Sequence, residues 1–237
     1  MTESLHDSIV YNIELNNMRI GVIIAMDIEY QKMCEALGGK PQGRINGNDV
    51  ILWQCGIGKV NAAIGAMNLI SQHHPDCIIS TGLAGGIDDC LHVMDVVVGS
   101  QTAYHDVWCG EGNAKGQVQG LPARFDADKR LVQCALSLDE AGDYKVWNGL
   151  ICTGDQFITN KKALADIKSS FSDALACEME SAAIAHTCYM QKVPFLSIRV
   201  ISDTPGNTDN HQQQWATFLA NMGDHSFRFV KSFLEKL

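Results

Sequence analysis

No apolar run in this sequence is long enough to cross a membrane. Stretches such as Ile20–Met26 and Val96–Val98 are strand-length, far short of the roughly 20 residues that a spanning helix needs. Surplus basic charge is also missing. A net charge of −9 leaves no electrostatic footprint for nucleic acid or an anionic membrane surface. The N-terminal stretch up to Asn17 carries Glu3, His6, Asp7 and Glu14, with no basic run before Arg19 and no long apolar core. It therefore does not read as a secretory signal. Residues 1–17 are expected to form a leader, and residues 18–237 the functional domain. A cytoplasmic location follows as the expectation.

The cysteines lack any pairing pattern. There are nine, an odd number, with no C-x-x-C among them. Disulfide frameworks belong mainly to short secreted chains, and thiolate metal sites need clustered ligands. Buried free thiols are the expectation, and no metal site is expected. Internal repeats, low-complexity tracts and domain-dividing linkers are absent as well.

What remains is the composition of a globular chain. Of 237 residues, 46% are apolar and 19% charged, enough for one domain with a sizeable core. Strand-like runs at Arg19–Met26, Val50–Gln54, Cys77–Ser80, Asp95–Gly99, Lys145–Cys152 and Phe195–Ile201 alternate with helical patterns. Helices are expected over Ile28–Leu37, Lys59–His73, Asp126–Ala141, Lys161–Phe171, Ser181–Met190 and Trp215–Leu237. In the second of these, Val60, Ala63, Ile64, Met67 and Ile70 share one face. The last is a long amphipathic helix with Trp215, Phe218, Leu219, Met222, Phe229, Val230 and Phe233 on its apolar side. This alternation predicts a single α/β domain built on a mixed, largely parallel sheet flanked by helices.

Ligands in such folds gather where strands end. Four segments qualify: Met26–Glu29, Gly82–Gly86, Glu178–Glu180 and Ser202–Asp203. The glycine loops fit no phosphate fingerprint. Gly56-Ile57-Gly58-Lys59 lacks a third glycine, and Val60 stands where a Walker loop has Ser or Thr. Either loop can be a tight turn or a close approach of backbone to a ligand. Asp203 leaves a buried strand as either a turn residue or an acid. Glu178 and Glu180 flank Met179, so one can enter a pocket while the other caps a helix. Phe157, Ile158 and Trp215 can be core, and His105 a hydrogen-bonded structural histidine.

Taken together in order, several segments resemble the 5′-methylthioadenosine/S-adenosylhomocysteine nucleosidases of the nucleoside phosphorylase-like superfamily. They are MRIGVIIAMDIE (18–29), CGIGKVNAA (55–63), STGLAGG (80–86), TGDQFI (153–158), CEMESAAIAH (177–186) and RVISD (199–203). The resemblance implies a nucleoside phosphorylase-like fold and hydrolysis of 5′-substituted adenosines without cofactor. It makes Asp203 the general acid toward adenine N7, positioned by Ser202, and Glu29 the residue that orients the attacking water. Glu180 would hold the ribose hydroxyls, with Met179 against the sugar. Phe157 would stack on adenine while the Ile158 backbone reads its edge. Arg199 would support the water, and Ile57, Trp215 and Phe218 would shape the pocket for the 5′ substituent. A homodimer is also implied, with residues 104–125 near the interface.

Two features depart from the family pattern. Leu83 stands where many relatives carry a small hydroxyl residue, and the loop VWCGEGNAKGQVQGLP after Asp106 differs from the enterobacterial form. Two rival functions share the fold. A phosphorylase would need phosphate-binding groups, yet the usual R-x-G-[ST] segment falls on Ser80-Thr81-Gly82-Leu83, which lacks the Arg and the final hydroxyl. A non-catalytic nucleoside-binding protein could dispense with Glu29, Glu180 or Asp203, and all three are present.

Overall fold

The computed structural model describes residues 17–139, 145–204, 211–220 and 225–237. Residues 1–16, most of the expected leader, lie outside the described residues. Strand β1 (Arg19–Ile24) runs parallel to both β3 (Asn48–Gln54) and β4 (Cys77–Gly86). A strand flanked in this way is covered on both faces, which accounts for its near-continuous apolar run. Strand β2 (Gln42–Ile45) adds an antiparallel edge to β3. On the other side of β4, β9 (Phe195–Asp203) pairs with it in parallel and also runs antiparallel to β5 (Val96–Tyr104). Strand β5 pairs in parallel with β7 (Val146–Thr153), which pairs in parallel with β8 (Ala174–Glu178). A short β6 (Phe125–Asp126) pairs antiparallel with β5. The sheet is mixed and largely parallel, as the alternation of apolar runs predicts.

Side-chain alternation sorts the core onto the two faces. Ile20, Val22 and Ile24 of β1 pack with Met33 of α1 (Asp27–Ala36), with Leu131 and Ala135 of α3 (Lys129–Leu136), and with α7 (His225–Lys236). Phe229, Val230 and Phe233 of α7 are buried there. Ile23 points the other way, toward α2 (Lys59–His73) and α5 (Ser181–Gln191). Helix α4 (Lys161–Ser170) packs Ile167 against Leu150 and Cys152 of β7.

Several boundaries differ from expectation. The face of α2 that meets the sheet is small: Ala62, Gly65, Ala66 and Leu69 are buried, whereas Val60, Ile64 and Met67 are exposed. A Cβ on Gly65 would lie 2.4 Å from the Cys55 Cβ, so close approach selects small residues here and the larger apolar stripe faces outward. Helix α3 begins at Lys129 rather than Asp126 because Asp128 accepts the N–H groups of Arg130 and Leu131, a capping arrangement that sets the helix start. Phe125 and Asp126 are thereby free to pair with β5. Of the expected extension of α3 to Ala141, residues 140–141 lie outside the described residues. At the C-terminus two helices are described, α6 (His211–Ala220) and α7, so helix begins earlier than Trp215. Residues 221–224, including Met222, lie outside the described residues. All nine cysteines are free, but only Cys77, Cys152, Cys177 and Cys188 are fully buried, and Cys109 is exposed. No helix among the described residues is long and apolar enough to cross a membrane.

Candidate active site

The glycine segment 82–86 is not a loop but the end of β4, and its pairing gathers the site. Gly85 stands opposite Cys177 of β8 on one side and Asp203 of β9 on the other. The β4–β9 register slips between Ala84 and Gly85, leaving Ser202 as the extra residue. Consecutive strand residues normally face opposite sides of a sheet, and a bulge re-aims them. Ser202 and Asp203 consequently both line one cavity of roughly 390 Å³. The Ser202 hydroxyl donates to Asp203 Oδ1 at 2.7 Å.

Glu29 reaches the same cavity from the first turn of α1. Its Oε1 accepts the Leu83 N–H at 2.8 Å and its Oε2 the Met26 N–H at 3.1 Å. Burial pushes its pKa up, opposed by the Arg199 guanidinium and the two backbone donors. Gly82 makes this approach possible. A Cβ there would lie 2.5 Å from Arg199 Nη1 and 2.9 Å from Glu29 Oε1.

The two glutamates flanking Met179 divide the tasks. Glu178 accepts the backbone N–H groups of Glu180 and Ser181 and so caps α5. It also takes a hydrogen bond from the Thr153 hydroxyl and an ion pair from Arg199 Nη2 at 2.6 Å. Arg199 further donates to the hydroxyls of Ser80 and Ser181, each at 2.9 Å. This buried cation is thus neutralised by a hydrogen-bonded carboxylate, the condition under which a buried pair is tolerated. Glu180 faces the cavity, and its Oε1 accepts the Gly58 N–H at 2.9 Å. Burial, and then the neighbouring charge of Glu178, push its pKa up to about 7.

Such a cavity holds buried carboxylates at Glu29, Glu180 and Asp203 around a mouth of apolar groups. Phe157 is half-exposed there and meets Trp215 edge-on, with ring centroids 5.6 Å apart. No group of three potential metal ligands occurs among the described residues.

Comparison with known proteins agrees. Residues 19–235 match the family model of the phosphorylase superfamily. A 5′-methylthioadenosine/S-adenosylhomocysteine nucleosidase from Actinobacillus succinogenes is 42% identical over 197 residues, covering 78% of this chain and 86% of that protein. The protein of the same name from Haemophilus influenzae strain 86-028NP is 37% identical, covering 93% of this chain and all of the relative (100%). The chain belongs to this nucleosidase family. A solved family structure from Neisseria meningitidis, in complex with methylthio-immucillin-A, superposes with a TM-score of 0.85 at 34% identity, covering 93% of this chain and 100% of that one.

Of the residues singled out from the family resemblance, Glu29, Ile57, Phe157, Ile158, Met179, Glu180, Arg199, Ser202, Asp203 and Trp215 all line the cavity. Phe218 does not: it is buried in the core cluster that also holds residues of β1, β9 and α7. Leu83 contributes both its N–H, to Glu29, and an apolar wall. The spacing of the two glutamates left open which would cap the helix, and the family resemblance placed Glu180 at the sugar but gave Glu178 no role, so its pairing with Arg199 was missed. The signal was present in a carboxylate that ends a short strand directly before a helix.

Proposed function

We propose that this protein hydrolyses the N-glycosidic bond of 5′-methylthioadenosine and S-adenosylhomocysteine, releasing adenine. The observation that carries the reading is the charge balance of the cavity. Its described lining contains four carboxylates (Glu29, Glu178, Glu180 and Asp203) and one cation, Arg199, which Glu178 already pairs. A phosphate nucleophile would meet like charge there with no free cation to receive it. Water meets no such penalty. This balance disfavours the phosphorylase reading.

In this reading adenine sits between Phe157 and Asp203, with the Ile158 backbone at its edge. Asp203, oriented by Ser202, gives a proton to N7, so that the base leaves neutral as the glycosidic bond breaks. The ribose develops oxocarbenium character, as in other glycoside cleavages. Glu180 holds the ribose hydroxyls beside Met179, and its negative charge stabilises that cation. Glu29 takes a proton from the water whose oxygen bonds to C1′. Its raised pKa makes it a better base than an exposed glutamate. Ile57 and Trp215 flank the 5′ substituent.

The working form is a homodimer. Val60, Ile64 and Met67 of α2 and Tyr189 and Met190 of α5 are exposed beside a groove that Val107 and Val118 also line. An apolar patch of this kind calls for cover. Residues 18–237 form the catalytic unit, and nine free cysteines suit a reducing, cytoplasmic setting. The test is incubation with methylthioadenosine in phosphate-free, chelator-treated buffer. Adenine and methylthioribose should form, and added phosphate should not change them. Formation of methylthioribose-1-phosphate, or a requirement for phosphate, would overturn the reading.

A further inference from the structure

Three segments far apart in sequence meet beside the cavity, tied by charged groups that do not line it; Lys59 instead lines the neighbouring groove between α2 and α5. The Lys59 ammonium donates to both oxygens of Asp106, at 2.8 and 2.7 Å. The Asp155 N–H donates to Asp106 Oδ2 at 2.9 Å. Asp155 in turn accepts the Lys59 N–H through Oδ1 at 2.8 Å, at the start of α2. A carboxylate is favourably placed at that helix end. The packing is close: a Cβ on Gly58 would lie 3.0 Å from Asp155 Oδ1, and one on Gly154 would lie 2.3 Å from the His105 ring. The Lys59 ammonium also sits 5.5 Å from the centroid of the Tyr104 ring.

Two of the joined segments carry site residues. Lys59 follows Ile57 and Gly58, and Gly58 donates to Glu180. Asp155 precedes Phe157 and Ile158. Ile158 is buried with Ile167 and Phe171, but Ile57 and Phe157 are themselves about half-exposed, so apolar packing holds only the far end of the purine loop. Burial would raise the Asp106 pKa, but Lys59 and the Asp155 N–H outweigh it and hold its carboxyl below the usual value. The tie is therefore ionic near neutral pH.

We propose that Lys59, Asp106 and Asp155 form a latch that positions the purine loop (154–158) against the ribose-side loop (56–58). The inference rests on the nucleosidase reading of the site. These are positioning residues, because none of the three lines the cavity. Their effect should fall on ligand capture rather than on the chemical step.

The test uses adenine itself, titrated calorimetrically, alongside steady-state kinetics with methylthioadenosine. For Lys59→Met, adenine Kd and substrate KM should rise about ten- to thirty-fold, with kcat within about threefold of wild type. Lys59→Arg, which keeps the ion pair, should restore both to within about threefold. Asp106→Asn keeps shape and an acceptor while removing charge, and serves if Lys59→Met does not fold; it should weaken adenine by about three- to tenfold. Unchanged adenine affinity in the folded variants, even with a lowered Tm, would overturn the latch, as would failure of Lys59→Arg to rescue Lys59→Met. A wild type that binds adenine but leaves methylthioadenosine intact would instead refute the nucleosidase reading. The latch would remain testable there, since adenine binding requires no turnover.

Discussion

Replacing Gly82 by Ala adds one methyl group at the point where the structure has least room for it. The new Cβ would lie 2.5 Å from Arg199 Nη1 and 2.9 Å from Glu29 Oε1. Ordinary contact begins near 3.4 Å, so the neighbours must yield by about 0.5 to 0.9 Å. Neither is a free side-chain end. Arg199 is held by Glu178, Ser80 and Ser181, and Glu29 by two backbone N–H groups. The backbone at Gly82, with φ +154, adds strain for any L side chain. Overpacking of this kind costs about 1–3 kcal/mol of stability. A misplacement approaching 1 Å at a reacting group costs about a hundred-fold in rate. The Gly82→Ala protein should thus show kcat/KM on methylthioadenosine reduced by about a hundred-fold and a Tm lower by several degrees, read by an adenine-release assay and calorimetry. Gly43→Ala is the control, because nothing lies within 4 Å of a Cβ there. Wild-type turnover and Tm in Gly82→Ala would refute the claim that Glu29 and Arg199 are locked across this glycine.

Other perturbations probe the remaining groups. Asp203→Asn should keep the fold and bind adenine, yet lose about a hundred- to ten-thousand-fold in kcat, the usual weight of a general acid; near-normal turnover would remove Asp203 from the role. Glu180 should bind ribose hydroxyls best as a carboxylate, so KM should fall as pH rises through about 7, and Glu180→Gln should flatten that dependence. The stability linked to Glu180 has the opposite slope: its folded pKa exceeds the ordinary 4.5, so its contribution is complete below that value and is lost as pH rises through about 7. Without ligand, Tm should fall across that window in wild type and less in Glu180→Gln. Ile64→Asp, placed on the exposed stripe of α2, should yield monomers in sedimentation at micromolar concentration where wild type is dimeric; a wild-type monomer would refute the dimer.

The parts of the fold that were legible in the sequence are those where one physical demand dominates. The strand from Arg19 is covered on both sides, and an apolar run rich in β-branched residues, broken only by Gly21 where Leu69 packs close, satisfies that. Strands β2, Gln-Gly-Arg-Ile, and β6, Phe-Asp, are too short and too polar for any period to register, and they form because a neighbouring edge is open to them. Helix α2 shows the limit of periodicity. Its apolar stripe at Val60, Ile64 and Met67 is real, but the sheet takes the small residues and leaves the stripe outside. Phe218, which the family resemblance put beside the 5′ substituent, is buried in the core instead, because an apolar position does not say which apolar neighbour it meets. Asp203 and Glu29 were recognisable as strand-end carboxylates. The bulge that brings Ser202 in beside Asp203, and the ties among Lys59, Asp106 and Asp155, depend on pairings between distant segments that no local spacing encodes.

Arg199 shows why the same fold can favour water over phosphate without losing its buried cation. A lone guanidinium facing a cavity would attract an anion, and it would depress the pKa of any nearby carboxylate. Glu178 removes the first effect by taking the charge in a close ion pair. The second is only partly removed: Arg199 still opposes the rise in Glu29, but burial outweighs it. Glu178 adds its own charge to the upward push on both Glu29 and Glu180. In the proposed reading, one carboxylate outside the chemistry thereby disfavours phosphate in the cavity and keeps the carboxylate proposed as base more basic than an exposed one. Glu178→Gln should consequently expose both effects at once. It would leave Arg199 buried and unneutralised, lower the Glu29 pKa, and shift the acidic limb of the kcat/KM profile to lower pH. Inorganic phosphate should then become an inhibitor competitive with substrate. An acidic limb unmoved from wild type, with no inhibition by phosphate, would mean that Glu178 serves only to cap α5.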